Sequence, residues 1–168
     1  MIEGVRVVEG RLHTDERGAF YKAWQHEPGT PPMAEANHAE RRAGCLVGLH
    51  FHRDQTDVWW LSTGRAVVYL VDLRVGSPTE RAVQRVDWDV PGRSSVVIPP
   101  GVAHGFAALT DVTLTYLQSR PYDPADELGV AWDDPDLALD WPTRTPLLSE
   151  RDRTNPAYAA LRDLPRFA

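Results

Sequence analysis

The chain has 168 residues, with 18 Lys and Arg against 24 Asp and Glu, for a formal net charge of −6. Its 42% hydrophobic and 25% charged content is that of one ordinary globular domain spanning 1–168, which excludes a disordered or fibrous chain. The negative balance offers no grip on a phosphate backbone, and no apolar run approaches the roughly 18 residues of a spanning helix, so neither nucleic acid nor a membrane is an expected partner.

Fourteen prolines and twelve glycines divide the chain into segments suited to strands and mostly too short for helices. Runs rich in Val, Leu, Trp, Tyr and Phe predict strands at 5–8, 43–51, 58–62, 66–73, 82–88, 95–98, 105–109 and 112–117, with a loop at 26–32. Asn155 as N-cap and Pro156 at the first helical position predict a short C-terminal helix over 157–164. The pattern is that of an all-β sandwich or jelly-roll barrel. Cys45 is the single cysteine, which rules out an internal disulfide framework and a thiolate-cluster zinc site. Met1-Ile2-Glu3-Gly4 lacks the basic-then-apolar pattern of a signal region, and a cytoplasmic protein is expected.

The first chemical signal is Gly44-Cys45-Leu46-Val47-Gly48-Leu49-His50-Phe51-His52, followed by Asp57 and Gly64. Residues i and i+2 of a strand share a face, so His50 and His52 can point together into a barrel, a geometry that suits a metal. The segment resembles the first cupin motif, with Asp57 where glutamate is usual. Pro99-Pro100-Gly101-Val102-Ala103-His104 resembles the second, with Ala108 where asparagine is usual. The implied ligand set is His50, His52, Asp57 and His104, a donor set compatible with Fe, Mn, Ni, Cu or Zn. Without a metal, the same residues make a polar pocket.

A wider resemblance runs from about Asp15 to Asp152. It rests on Asp15-Glu16-Arg17-Gly18-Ala19-Phe20, Asn37, Gly48-Leu49-His50-Phe51, Val71-Asp72-Leu73-Arg74, Ile98-Pro99-Pro100-Gly101-Val102-Ala103-His104-Gly105-Phe106, Tyr116, Tyr122-Asp123-Pro124, Glu127, Trp132-Asp133-Asp134-Pro135, Asp140-Trp141-Pro142 and Ser149-Glu150-Arg151-Asp152. In these pieces the chain resembles the dTDP-4-dehydrorhamnose 3,5-epimerase family, itself built on the cupin jelly roll. The resemblance implies an isomerase that inverts C3, C5 or both of a 4-keto-6-deoxyhexose on a nucleoside diphosphate. A proton next to the carbonyl is removed, an enolate is held, and a proton returns to the opposite face. By resemblance His50 is the base, Asp152 orients it and Tyr116 is the acid. Arg17, Phe20, Asn37, His104, Tyr122, Glu127 and Arg151 are placed on the substrate, no cofactor is required, and a homodimer sharing N-terminal strands is implied.

Three departures stand out. Val47 occupies a place where the family usually has arginine, His52 one where it has glutamine, and Asp57 one where a lysine faces the developing oxyanion. Loss of one such donor typically costs about 3 to 4 kcal/mol of barrier. His52 and Asp57 are also the changes that complete the cupin ligand set. This leaves two alternatives to the epimerase reading. One is a metal-dependent isomerase or dioxygenase using His50, His52, Asp57 and His104. The other is a non-catalytic cupin that binds a nucleotide sugar.

Overall fold

The computed structural model describes residues 1–89 and 93–167. Its strands are β1 (Arg6–Glu9), β2 (His13–Asp15), β3 (Gly18–Phe20), β4 (Glu35–Arg41), β5 (Leu46–Phe51), β6 (Asp57–Thr63), β7 (Arg65–Asp72), β8 (Val83–Asp89), β9 (Ser94–Ile98), β10 (Val102–Ala108), β11 (Val112–Gln118) and β12 (Leu128–Gly129). One α-helix, α1 (Glu150–Thr154), and one 3₁₀ turn (Tyr158–Ala160) follow. Two five-stranded antiparallel sheets, ordered β1-β9-β6-β11-β4 and β12-β5-β10-β7-β8, carry the core, and β2 and β3 form a separate hairpin. This is the expected all-β jelly roll with a short helix near the C-terminus. Among the described residues, no helix is long and apolar enough to cross a membrane.

The alternation of side chains explains why β7, an interior strand of the second sheet, reads as an almost unbroken apolar run. On β7, Ala66, Val68 and Leu70 pack between the sheets, where they meet Trp59, Leu61, Val96, Phe106 and Leu114. Val67, Tyr69 and Val71 point the other way, onto Val130, Leu137 and Trp141 of the C-terminal segment. A strand buried on both faces has no need of the polar positions a half-exposed strand such as β8 shows. The tail is fixed by polar bonds as well. Tyr69 Oη donates to the Asp140 carbonyl at 3.0 Å, and Trp141 Nε1 donates to the Trp132 carbonyl at 2.8 Å.

Some boundaries differ from the sequence expectation. The strand expected from residue 43 begins at Leu46, because Arg42–Cys45 closes a turn in which the Cys45 amide donates to the Arg42 carbonyl. The helix expected at 157–164 is instead α1, upstream, capped by Ser149, and Asn155 ends it. Only the 3₁₀ turn occupies the predicted span, where Tyr158, Leu161 and Leu164 are drawn onto the outer core.

A bulge in β5 sets the direction of the chemistry. His50 pairs with His104 of β10, but Val47 pairs with Phe106, so β5 contains one residue more than its partner. The extra residue falls at Gly48-Leu49. Gly48 has φ +110°, and a Cβ there would lie 2.7 Å from both the Gly105 Cα and the His104 carbonyl oxygen. Glycine is required by both conformation and space. Leu46, Leu49 and Phe51 therefore enter the outer core, whereas Val47, His50 and His52 line the interior.

Candidate active site

A cavity of about 410 Å³ opens between the two sheets. The inward positions of β4 (Glu35, Asn37, Ala39), β6 (Asp57, Trp59) and β11 (Leu114, Tyr116, Gln118) form one wall. Val47, His50, His52, His104 and Phe106 form the other, and Ser149, Arg151 and Asp152 close it from the side of α1.

His50 and Asp152 meet although 102 positions separate them. The imidazole Nε2 donates to the Asp152 carboxylate at 2.6 Å, since a carboxylate can only accept. Ser149 reinforces the arrangement. It accepts from the Asp152 amide as the N-cap of α1, and its hydroxyl donates to the second carboxylate oxygen at 2.8 Å. Burial pushes the Asp152 carboxyl up, but the bonds from His50 and Ser149 and the His50 charge outweigh it and hold the group below its ordinary range. An anion at this place fixes the tautomer of His50 and leaves Nδ1, 3.8 Å from Glu127, as the nitrogen free to take a proton.

Tyr116 faces this pair from the opposite sheet. Burial, with the charges of Asp57 and Glu127, raises its phenol, which is therefore protonated at neutral pH. Its ring lies 6.3 Å from that of Trp59. Glu127 is gripped by Arg151, whose Nη1 donates to the carboxylate at 2.5 Å and whose Nη2 donates to the Glu127 carbonyl. Asn37 donates to the Gln118 amide oxygen at 2.8 Å, tying β4 to β11 across the cavity wall. Tyr122 stands at the rim and is largely exposed.

A family model described as dTDP-4-dehydrorhamnose 3,5-epimerase matches residues 1–160. A dTDP-4-dehydrorhamnose 3-epimerase of Streptomyces niveus is 40% identical over 181 residues, covering 99% of this chain and 87% of that one. The chain belongs to the dTDP-4-dehydrorhamnose 3,5-epimerase family. Among solved structures, NovW, a 4-keto-6-deoxy sugar epimerase from the novobiocin cluster of Streptomyces spheroides, superposes with a TM-score of 0.93 at 38% identity, covering 99% of this chain and 90% of NovW. ChmJ, a 3'-monoepimerase from Streptomyces bikiniensis in complex with dTDP-quinovose, superposes with a TM-score of 0.88 at 34% identity, covering 94% of this chain and 85% of ChmJ.

Within this epimerase-family fold, His50, Asp152, Tyr116, Asn37, His104, Tyr122, Glu127 and Arg151 all line the one cavity. Arg17 and Phe20 do not. They sit on the β2–β3 hairpin, outside this cavity, and Phe20 lines a separate one beside β1. Arg17 is exposed and paired with Asp15 at 2.5 Å, and Phe20 is 64% exposed. The four-residue metal set also divides. His52, Asp57 and His104 converge, with their ligand atoms all within 4.8 Å of one another, but His50 stands apart because Asp152 holds its Nε2. Ser149, Trp59 and Glu35 were missed as cavity residues. Ser-x-x-Asp is a helix-entry spacing that marks Ser149, and i+2 alternation from Asp57 marks Trp59. Glu35 lies on β4, a strand too polar to be seen from the sequence.

Proposed function

We propose that this chain is an isomerase that inverts C3, C5 or both of a 4-keto-6-deoxyhexose linked to dTDP or a similar nucleoside diphosphate. The observation that carries the reading is the His50–Asp152 pair facing Tyr116 from the opposite wall of one cavity. Inversion beside a carbonyl needs a base on one face of the ring and an acid on the other, and the two sheets supply them separately. His50, with its tautomer fixed and its charge balanced by Asp152, takes the C–H proton. The electrons of the broken C–H bond form the enolate double bond and push charge onto the carbonyl oxygen. As the carbonyl re-forms, the same carbon takes a proton from the Tyr116 hydroxyl on its far face.

The relatives are named for epimerases of dTDP-linked deoxysugars, which supports a nucleotide sugar as the small-molecule partner. A homodimer completes the site in this reading. The hairpin of a second copy would bring the Arg17 cation and the Phe20 ring to the cavity rim, where a diphosphate and a base would lie. The exposure of both residues in the single chain supports this. The single Cys45, unpaired and partly buried, fits a cytoplasmic location.

The test is incubation with dTDP-4-keto-6-deoxyglucose in D₂O. Deuterium is expected at the inverted carbon, read by NMR and mass spectrometry of the sugar. A substrate returned without deuterium at C3 or C5, by protein shown by calorimetry to bind dTDP, would overturn the assignment in favour of a binding protein.

A further inference from the structure

His52, Asp57 and His104 form a second chemical centre beside the proton-transfer pair. Each is 8% exposed or less. The Nδ1 of His104 lies 2.9 Å from the Val102 carbonyl, and the Nδ1 of His52 lies 3.0 Å from the Asp126 carbonyl. A carbonyl accepts only, so each imidazole carries a proton on Nδ1, which turns its Nε2 toward Asp57.

Both Nε2 atoms converge on this side chain. His104 Nε2 is 3.6 Å and His52 Nε2 4.0 Å from the same oxygen of Asp57, Oδ2. Neither separation is a hydrogen bond, so the Nε2 atoms of both rings and Asp57 Oδ2 are turned toward one another at short range. Asp57 is itself held in place, Oδ1 by the Gln55 amide at 2.8 Å and Oδ2 by the Trp59 indole N–H at 3.2 Å. Trp59 also packs edge-on against the His104 ring, with centroids 4.9 Å apart. Imidazoles fixed through Nδ1 by backbone carbonyls, with a carboxylate fixed by N–H donors, are the supporting contacts that orient metal ligands.

We propose that His52, Asp57 and His104 bind one divalent first-row transition ion, with positions left open toward the cavity. At metal–ligand distances of about 2.0 to 2.2 Å, two ligand atoms on one ion lie roughly 3 to 3.5 Å apart. The three ligand atoms, now within 4.8 Å of one another, must therefore draw together by about 1 Å or more at the widest pair, and by less where His104 and His52 already approach Asp57 at 3.6 and 4.0 Å. The surroundings favour a cation too. The described cavity lining holds four carboxylates, Glu35, Asp57, Glu127 and Asp152, against two guanidinium groups, Arg41 and Arg151, of which Arg151 is already bonded to Glu127. Two imidazoles and one carboxylate suit Zn, Fe, Co, Ni or Mn rather than Mg or Ca. Because His104 pairs with His50 in the sheet register, the ion stands next to the base without taking it as a ligand. An ion there is a Lewis acid placed to polarise a ketone oxygen. This role rests on the epimerase reading, whereas the binding itself does not.

The experiment uses the untagged full-length chain, stripped by chelator and titrated with Co(II) and then Zn(II). One equivalent per chain is expected, with Co(II) d–d absorption that Zn(II) displaces. His52→Gln and Asp57→Asn should each lose the bound equivalent while keeping the far-ultraviolet circular dichroism of the parent, and His50→Asn should retain it. Absence of saturable binding, or binding unchanged in both His52→Gln and Asp57→Asn, would overturn the site. Loss of the equivalent in His50→Asn would overturn the three-residue assignment. Deuterium wash-in, followed on the stripped and loaded protein, reports separately on the epimerase reading, because metal can bind whether or not the sugar exchanges.

Discussion

At the scale of single residues, the proposed reaction divides labour between groups that move protons and groups that hold those groups still. His50→Asn removes the base and should lower kcat by about 10²- to 10⁴-fold, with KM little changed, in a steady-state assay of sugar inversion. Asp152→Asn should fall in the same range, since the amide presents its own N–H donor to the ring and favours the wrong tautomer. Tyr116→Phe separates the two half-reactions. With the base intact, proton removal and same-face return continue, so the variant should exchange deuterium into the substrate without inverting it. A Tyr116→Phe enzyme that still inverts at the parental rate would mean that another group is the acid.

At the scale of elements, what the sequence revealed follows from which strands bury apolar side chains. β7 and β10 are buried on both faces and announce themselves as Val-rich and Ala-rich runs. β4, with the sequence Glu-Ala-Asn-His-Ala-Glu-Arg, is equally a strand, but its inner face is the polar wall of a cavity and its outer face meets water. No periodic apolar signal could mark it. His50 and His104 were legible because glycine and proline around them are demanded by the bulge and the turn, whereas Asp152 was reached only through the family resemblance of Ser149-Glu150-Arg151-Asp152. The split of the metal set was not legible. Which histidine Asp152 takes depends on where a tail 102 positions away docks. The bulge offers an element-level test. Gly48→Ala drives a Cβ into the Gly105 and His104 backbone at positive φ and should destabilise the protein by at least about 2 kcal/mol in denaturant unfolding. Val47→Ala, on the same strand but on the cavity side, should cost less.

At the scale of the whole molecule, charge buried in the fold sets its acid limit. Asp72 is fully buried and takes hydrogen bonds from Arg74, Ser77 and Thr79. Burial alone would push its carboxyl up, but those donors win and hold it at about 2, below its ordinary 3.8. A depressed carboxylate stabilises the fold above its unfolded pKa, and that contribution is lost as pH falls through the folded value. At 1.36 kcal/mol per pKa unit the contribution is about 2 kcal/mol. Between pH 4 and pH 2 the stability advantage of the parent over Asp72→Asn should therefore shrink by about that much, as read from urea midpoints. A constant difference over that range would show that Asp72 does not carry the linkage. Arg17→Ala checks the shared-hairpin arrangement. It should raise KM for the nucleotide sugar with kcat preserved, although Arg17 touches nothing in the cavity of its own chain.

The docking of the C-terminal segment on the outer face of the second sheet also places the chemistry in time. At about 5 to 20 residues per second of synthesis, His50 waits roughly 5 to 20 seconds before Asp152 has been made. The paired strands β1 to β11 end at Gln118, but Val67, Tyr69 and Val71 lack their cover until Val130, Leu137 and Trp141 have been made. A chain stalled before that point would lack both the proposed partner of His50 and the apolar cover of its second sheet. The same late segment thus delivers the outer core and the proposed partner of the base together.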